Sequence, residues 1–158
     1  VSTLGERIAG RCASTNQCDY CAKLKAIENA EMLTLDAMQG DAPELWCVLT
    51  TRTATVDMQP FLDALRLVVR ALRRRWSAVE YASLLEFTTG YAPRSGGERR
   101  PHWNVLLKGV RAAELDAVRT LTRRVWCDHV DAEPGVQYVG QISEVGGLMR
   151  YVALHFQK

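Results

Sequence analysis

The residues most able to do chemistry stand in Arg100-Pro101-His102-Trp103-Asn104-Val105-Leu106-Leu107-Lys108-Gly109, where an imidazole and an amide sit two residues apart in an apolar run. In a β-strand, side chains alternate between faces. His102, Asn104 and Leu106 would then share one face, with Trp103, Val105 and Leu107 on the other. Glu86 stands on the strand expected beforehand. Glu86, His102 and Asn104 together make a mixed carboxylate, imidazole and amide-oxygen set, suited to Mg²⁺ or Mn²⁺ more than to a closed zinc site.

A second group closes the chain in Arg150-Tyr151-Val152-Ala153-Leu154-His155-Phe156-Gln157-Lys158. On a helix, His155 at i+4 and Lys158 at i+7 share the Tyr151 face. A free phenol with pKa about 10 is ionised to roughly one part in a thousand at pH 7, so a nucleophilic tyrosine needs activation. Lys158 would neutralise a phosphate or help depress the phenol pKa, and His155 would hydrogen-bond the same group. A metal pair with a helical tyrosine points to phosphodiester chemistry on nucleic acid, with the cation polarising the phosphate.

The elements that must position these groups follow from periodicity. Cys18 to about Gln39 is expected to be a helix, with Leu24, Ile27, Ala30, Leu35 and Met38 at near-helical spacing and Gly40 as its stop. Glu44 to Thr51 is expected as a strand. A second helix opens near Asp57 and Pro60 and runs to about Trp76, with Phe61, Leu65, Val68, Leu72 and Trp76 as its apolar stripe. Ala78 to Thr88 is a strand with Ala82, Leu84, Glu86 and Thr88 on one face. The Gly- and Arg-rich stretch from Gly90 to Arg100 joins it to the His102 strand as a long hairpin. Ala112 to about His129 is a helix, Val136 to Ile142 a strand, and Gly146-Gly147 precedes the tyrosine helix. The expected fold is a single α+β domain over 1–158: a central antiparallel sheet of about five strands flanked by helices, with a cysteine-containing helical segment at about 12–40.

Bulk properties set limits. A chain of 158 residues that is 47 % hydrophobic can bury a real core. No apolar run approaches the roughly 18–20 residues that span a bilayer, so no membrane partner is expected, and the first ten residues lack the features of a secretory signal. The net charge of +2 does not announce a polyanion binder. The arginines are nevertheless bunched, at Arg70, Arg73, Arg74 and Arg75, then Arg94, Arg99 and Arg100, then Arg111, Arg119, Arg123 and Arg124. Guanidinium groups favour bidentate phosphate contacts; a solvated arginine-rich surface is the simpler account of any one cluster. Five cysteines, an odd number, suit a reduced, cytoplasmic protein better than a disulfide scaffold. Cys12, Cys18 and Cys21 offer three ligands to a structural Zn²⁺, with Cys47, Cys127 and His129 as candidates for the fourth; the alternative is reduced cysteines packed at a helix start.

With these residues in this order, nearly the whole chain resembles the catalytic domain of HUH-type rolling-circle replication initiators of phages, plasmids and small single-stranded DNA viruses. Trp46-Cys47-Val48-Leu49-Thr50-Thr51-Arg52 looks like the first motif. Leu85-Glu86-Phe87 followed by Arg100-Pro101-His102-Trp103-Asn104 looks like the metal motif, and Tyr151 to Lys158 like the tyrosine helix. The resemblance implies a ferredoxin- or RRM-like sandwich. It implies DNA contacts from Thr50, Arg52, Arg94, Arg99 and Arg100, and metal-dependent nicking and joining of single-stranded or hairpin origin DNA through a 5′-phosphotyrosine at Tyr151. It also implies host helicase and polymerase as partners in a bacterial cytoplasm, and a piece of a longer initiator. Three departures stand out. Asn104 replaces the second metal histidine, Leu154 replaces a lysine, and His155 replaces a second tyrosine, which leaves a one-tyrosine enzyme unless Tyr91 or Tyr138 serves. A relaxase or tyrosine transposase of the same superfamily, or a non-catalytic nucleic-acid-binding module on the same fold, are the alternatives.

Overall fold

The computed structural model describes residues 19–40, 42–52, 58–89, 99–144 and 147. Its elements run α1 (Asp19–Gln39), β1 (Leu45–Thr50), α2 (Gln59–Arg75), β2 (Glu80–Thr89), β3 (Arg99–Lys108), α3 (Leu115–Cys127) and β4 (Tyr138–Gln141), with 3₁₀ turns at Ala112–Glu114 and Pro134–Val136. The strands form one antiparallel sheet in the order β2-β3-β1-β4. From β1 onward this is a βαββαβ succession, the split βαβ arrangement in which two βα units interleave their strands. Four strands are present among the described residues, against the five or so expected. Each segment expected as a strand forms one, and no further strand occurs among the described residues. The last strand is shorter than expected because Pro134–Val136 winds into a 3₁₀ turn, leaving only Tyr138–Gln141 to pair with β1.

Alternation along β3 divides the molecule into layers. Trp103, Val105 and Leu107 face α2 and α3, where they meet Leu45, Cys47 and Leu49 of β1, Phe61, Leu65, Val68 and Leu72 of α2, and Val118 and Trp126 of α3. Phe61 stacks on Trp103 with ring centroids 6.0 Å apart and meets Trp126 edge-on at 5.0 Å. Phe61, Leu65, Val68 and Leu72 of the α2 stripe are buried as their spacing predicts, Trp76 stands half-buried at the helix end, and Arg73, Arg74 and Arg75 in the last turn complement the negative end of the helix dipole. On the opposite face Leu106 packs with Trp46, Ala82 and Ile142 and with Leu33 and Ala37 of α1. Lys108 clips that helix down through both Asp36 carboxylate oxygens at 3.1 Å.

The first helix forms where its spacing predicts, but it presents another face to the sheet. Ile27, Leu35 and Met38 are exposed, Met38 by 78 %, whereas Leu33 and Ala37 are its contacts with the sheet cluster. A small residue at 37 lets the helix approach the bulky Trp46 and Leu106. The β3 strand ends at Gly109, whose φ of 75° suits glycine and whose missing side chain makes room for the Ala78 carbonyl.

Candidate functional site

Beyond the part of the sheet covered by Leu33 and Ala37, the same face carries the candidate site. Cross-strand register sets Thr50, His102 and Glu86 in one row over β1, β3 and β2, and Val48, Asn104 and Leu84 in the next. This pairing brings Glu86 to both expected partners. His102 Nε2 lies 2.8 Å from Glu86 Oε2, and Asn104 Nδ2 donates to the same oxygen at 2.7 Å. A carboxylate only accepts, so the His102 proton on that side sits on Nε2. His102 and Asn104 are buried, at 9 % and 4 % exposure. Two donors inside the protein therefore converge on one acceptor, which satisfies groups that would be costly to bury alone.

A fourth residue completes the cluster. Trp46 Nε1 donates to Asn104 Oδ1 at 3.2 Å. Tyr138 meets the Trp46 ring edge-on, centroids 5.5 Å apart, in space left open by Gly140. The Trp46 contact is not legible in the sequence, because it depends on how β1 and β3 align. Its one signal is position: Trp46 shares the parity of Thr50 on β1.

The donor set fits a divalent cation in part. Glu86 Oε2 and His102 Nε2 are ligand atoms of the right kind, once the imidazole proton has moved to Nδ1. Asn104 as arranged turns its nitrogen, not its oxygen, towards Glu86. Among the described residues no three His, Cys, Asp or Glu side chains gather where they could hold a metal ion; at this site only two of the three residues are of those types.

The expected DNA-contacting residues divide. Thr50 stands in the His102 row, and alternation places Arg100 on the His102 face of β3. Arg52 is exposed and paired with Glu133 at 3.3 Å. Arg99 lies in β3, with its side chain outside the described residues, as is the whole of Arg94. Tyr151, His155 and Lys158 also lie outside them, and so do Cys12, Cys18 and Tyr91. On α2, Arg66 pairs with Asp63 at 2.6 Å, Arg73 donates to the Val79 carbonyl, and Arg75 lies over the Trp76 ring at 4.9 Å.

For the structural zinc, Cys21 is buried in the first turn of α1. The three proposed fourth ligands stand on the other layer. Cys47 faces the α2 and α3 core, Cys127 ends α3, and His129 follows it with Nδ1 at 2.8 Å from the Val125 carbonyl. Burial pushes the Cys47 thiol up from 9.0 to about 12, and burial likewise raises Cys127. A thiol held neutral is a poor metal ligand. The Cys47 shift also sets a stability expectation. Between pH 9 and 12 the unfolded thiol ionises while the folded one keeps its proton, so stability that is intact below pH 9 falls as pH rises. The urea midpoint of the wild type should drop more steeply above pH 9 than that of Cys47→Ala; parallel slopes would refute the assignment.

The described residues contain no helix long and apolar enough to cross a membrane. No family model, curated protein or solved structure matches the chain.

Proposed function

We propose that the chain is the catalytic domain of an HUH-type rolling-circle replication initiator. It would nick and rejoin single-stranded origin DNA through a covalent 5′-phosphotyrosine. The observation that carries this reading is the convergence of His102 and Asn104 of β3 on one carboxylate oxygen of Glu86 on the neighbouring β2, with Thr50 in the His102 row. A carboxylate, an imidazole and an amide gathered on one sheet face, two of them buried, are a group that a metal-assisted phosphodiester-cleaving centre would use.

Glu86 and His102 are the residues that would hold Mg²⁺ or Mn²⁺, with Asn104 beside them. A bound divalent cation supplies charge stabilisation to the scissile phosphate. Tyr151 would be the nucleophile. Its phenol oxygen bonds to phosphorus as the P–O3′ bond breaks, its proton passes to solvent, and the departing 3′ oxygen takes one up. Lys158 and His155 would assist through charge and hydrogen bonding. Thr50, Arg52, Arg94, Arg99 and Arg100 would hold the strand, chiefly by its phosphates, so binding weakens with salt. Rejoining reverses the first step with a free 3′-hydroxyl and needs no ATP. Host helicase and polymerase in a bacterial cytoplasm would then extend the nick.

A second reading, a non-catalytic nucleic-acid-binding module, draws on the Trp46–Asn104 bond, which keeps the amide oxygen away from Glu86, and on Leu154 where a lysine is expected. One assay separates the two. Labelled single-stranded origin DNA is incubated with the protein and Mn²⁺ and run on a denaturing gel. Wild type should give a covalent band that EDTA and Tyr151→Phe each remove. No band from wild type, or an equal one from Tyr151→Phe, refutes the nickase.

A further inference from the structure

The Asn104 amide has one oxygen, and the structure shows where it is spent. An indole N–H can only donate. The Asn104 atom 3.2 Å from Trp46 Nε1 is therefore the oxygen, and the atom 2.7 Å from Glu86 Oε2 is the NH₂ group. Asn and Gln orientations are ordinarily ambiguous, because nitrogen and oxygen look alike. Here a donor on one side and a carboxylate on the other agree on a single answer. Trp46 is itself braced, by Tyr138 against its ring edge and by packing with Leu106. The amide consequently directs two hydrogens into the space a cation would share with Glu86 and His102.

We propose that Trp46 is a positioning residue that sets the metal affinity of this site: it holds the Asn104 amide nitrogen towards Glu86, and a divalent cation gains Asn104 as a ligand only when the amide turns over and the Trp46 bond is released. The inference rests on the reading of Glu86, His102 and Asn104 as a metal centre. Turnover exchanges the two ends of the amide without moving the β3 backbone. It makes metal binding weaker than the same residues would give unrestrained, and it couples the ion to an aromatic side chain on a strand that is not a ligand strand.

The test is binding of Mg²⁺ alone to the whole chain, followed by ¹H–¹⁵N spectra of the indole groups and of the imidazoles, together with calorimetric titration of Mn²⁺. In wild type the Trp46 indole N–H resonance should move upfield in step with the His102 ring as the metal is added. Trp46→Phe removes the hydrogen bond and keeps an aromatic ring, and it should tighten Mn²⁺ by about 5-fold, the loss of one neutral hydrogen bond expressed as affinity. That gain should vanish when the same exchange is made in Asn104→Ala, because its route is through the amide. If the His102 ring titrates while the Trp46 N–H stays still, the proposal is overturned and the metal site survives. An undiminished gain in Asn104→Ala also overturns it. Should neither wild type nor Trp46→Phe bind metal, the metal centre itself falls, and this proposal with it. The wild-type resonance decides the question even where Trp46→Phe fails to fold.

Discussion

Glu86→Gln should lower the yield of the Mn²⁺-dependent covalent adduct by about 100-fold while leaving the domain folded. The two consequences separate because Glu86 has two jobs. Its charge would attract the cation, and its Oε2 accepts from both His102 and Asn104. Glutamine removes the charge but keeps an oxygen with two lone pairs, so both buried donors can still be answered. The stability loss should stay at about 1 kcal/mol. Glu86→Ala is the contrast. It leaves the imidazole and the amide buried with no acceptor at that point, and each such group costs about 1–3 kcal/mol. Urea unfolding should therefore show Glu86→Ala losing about 2–6 kcal/mol, several times the loss of Glu86→Gln. A Glu86→Gln protein with wild-type adduct yield would remove Glu86 from the metal centre and leave the cluster a structural network.

Most of this site is visible in the sequence, for a reason that also explains what is not. Alternation is local: knowing that β3 is a strand is enough to place His102 and Asn104 together and Trp103 opposite. The short Gly- and Arg-rich stretch between β2 and β3 makes hairpin pairing the natural result, and pairing supplies Glu86. The bond from Trp46 to Asn104 spans 58 residues and exists only because β1 inserts between β3 and β4. No period in the sequence encodes that choice. The same limit applies to α1. Its apolar residues are spread around the helix, so spacing identifies a helix but not which side meets the sheet, and the contact goes to Leu33 and Ala37 where the sheet offers Leu106. Gln137 is likewise invisible to periodicity. It is a fully buried glutamine whose Oε1 accepts from the Thr50 backbone and whose Nε2 donates to the Glu133 carbonyl.

Trp126 shares this work with Gln137, and its replacement should have the second large effect. Pairing of β1 with β4 stops at Val48 opposite Tyr138, so the backbone of Thr50 runs past the end of its neighbour on that side. Its N–H and C=O still need partners. Gln137 Oε1 takes the N–H at 2.8 Å, and Trp126 Nε1 donates to the carbonyl at 2.9 Å. Two side chains thus replace a strand and hold Thr50 in the row with His102 and Glu86. Trp126 is also fully buried against Phe61. Trp126→Ala should cost about 3–5 kcal/mol from the cavity it leaves, read by urea unfolding followed in far-UV circular dichroism. Trp126→Phe keeps much of the packing and removes the hydrogen bond, so its cost should be about 1–3 kcal/mol, the penalty of a buried carbonyl left without that donor. Because the lost bond lies at the end of β1 beside the proposed metal residues, Trp126→Phe should also weaken single-stranded DNA binding more than its modest loss of stability explains. A Trp126→Ala protein within about 1 kcal/mol of wild type would mean that the β1 end is held without the indole bond and that the core tolerates the void.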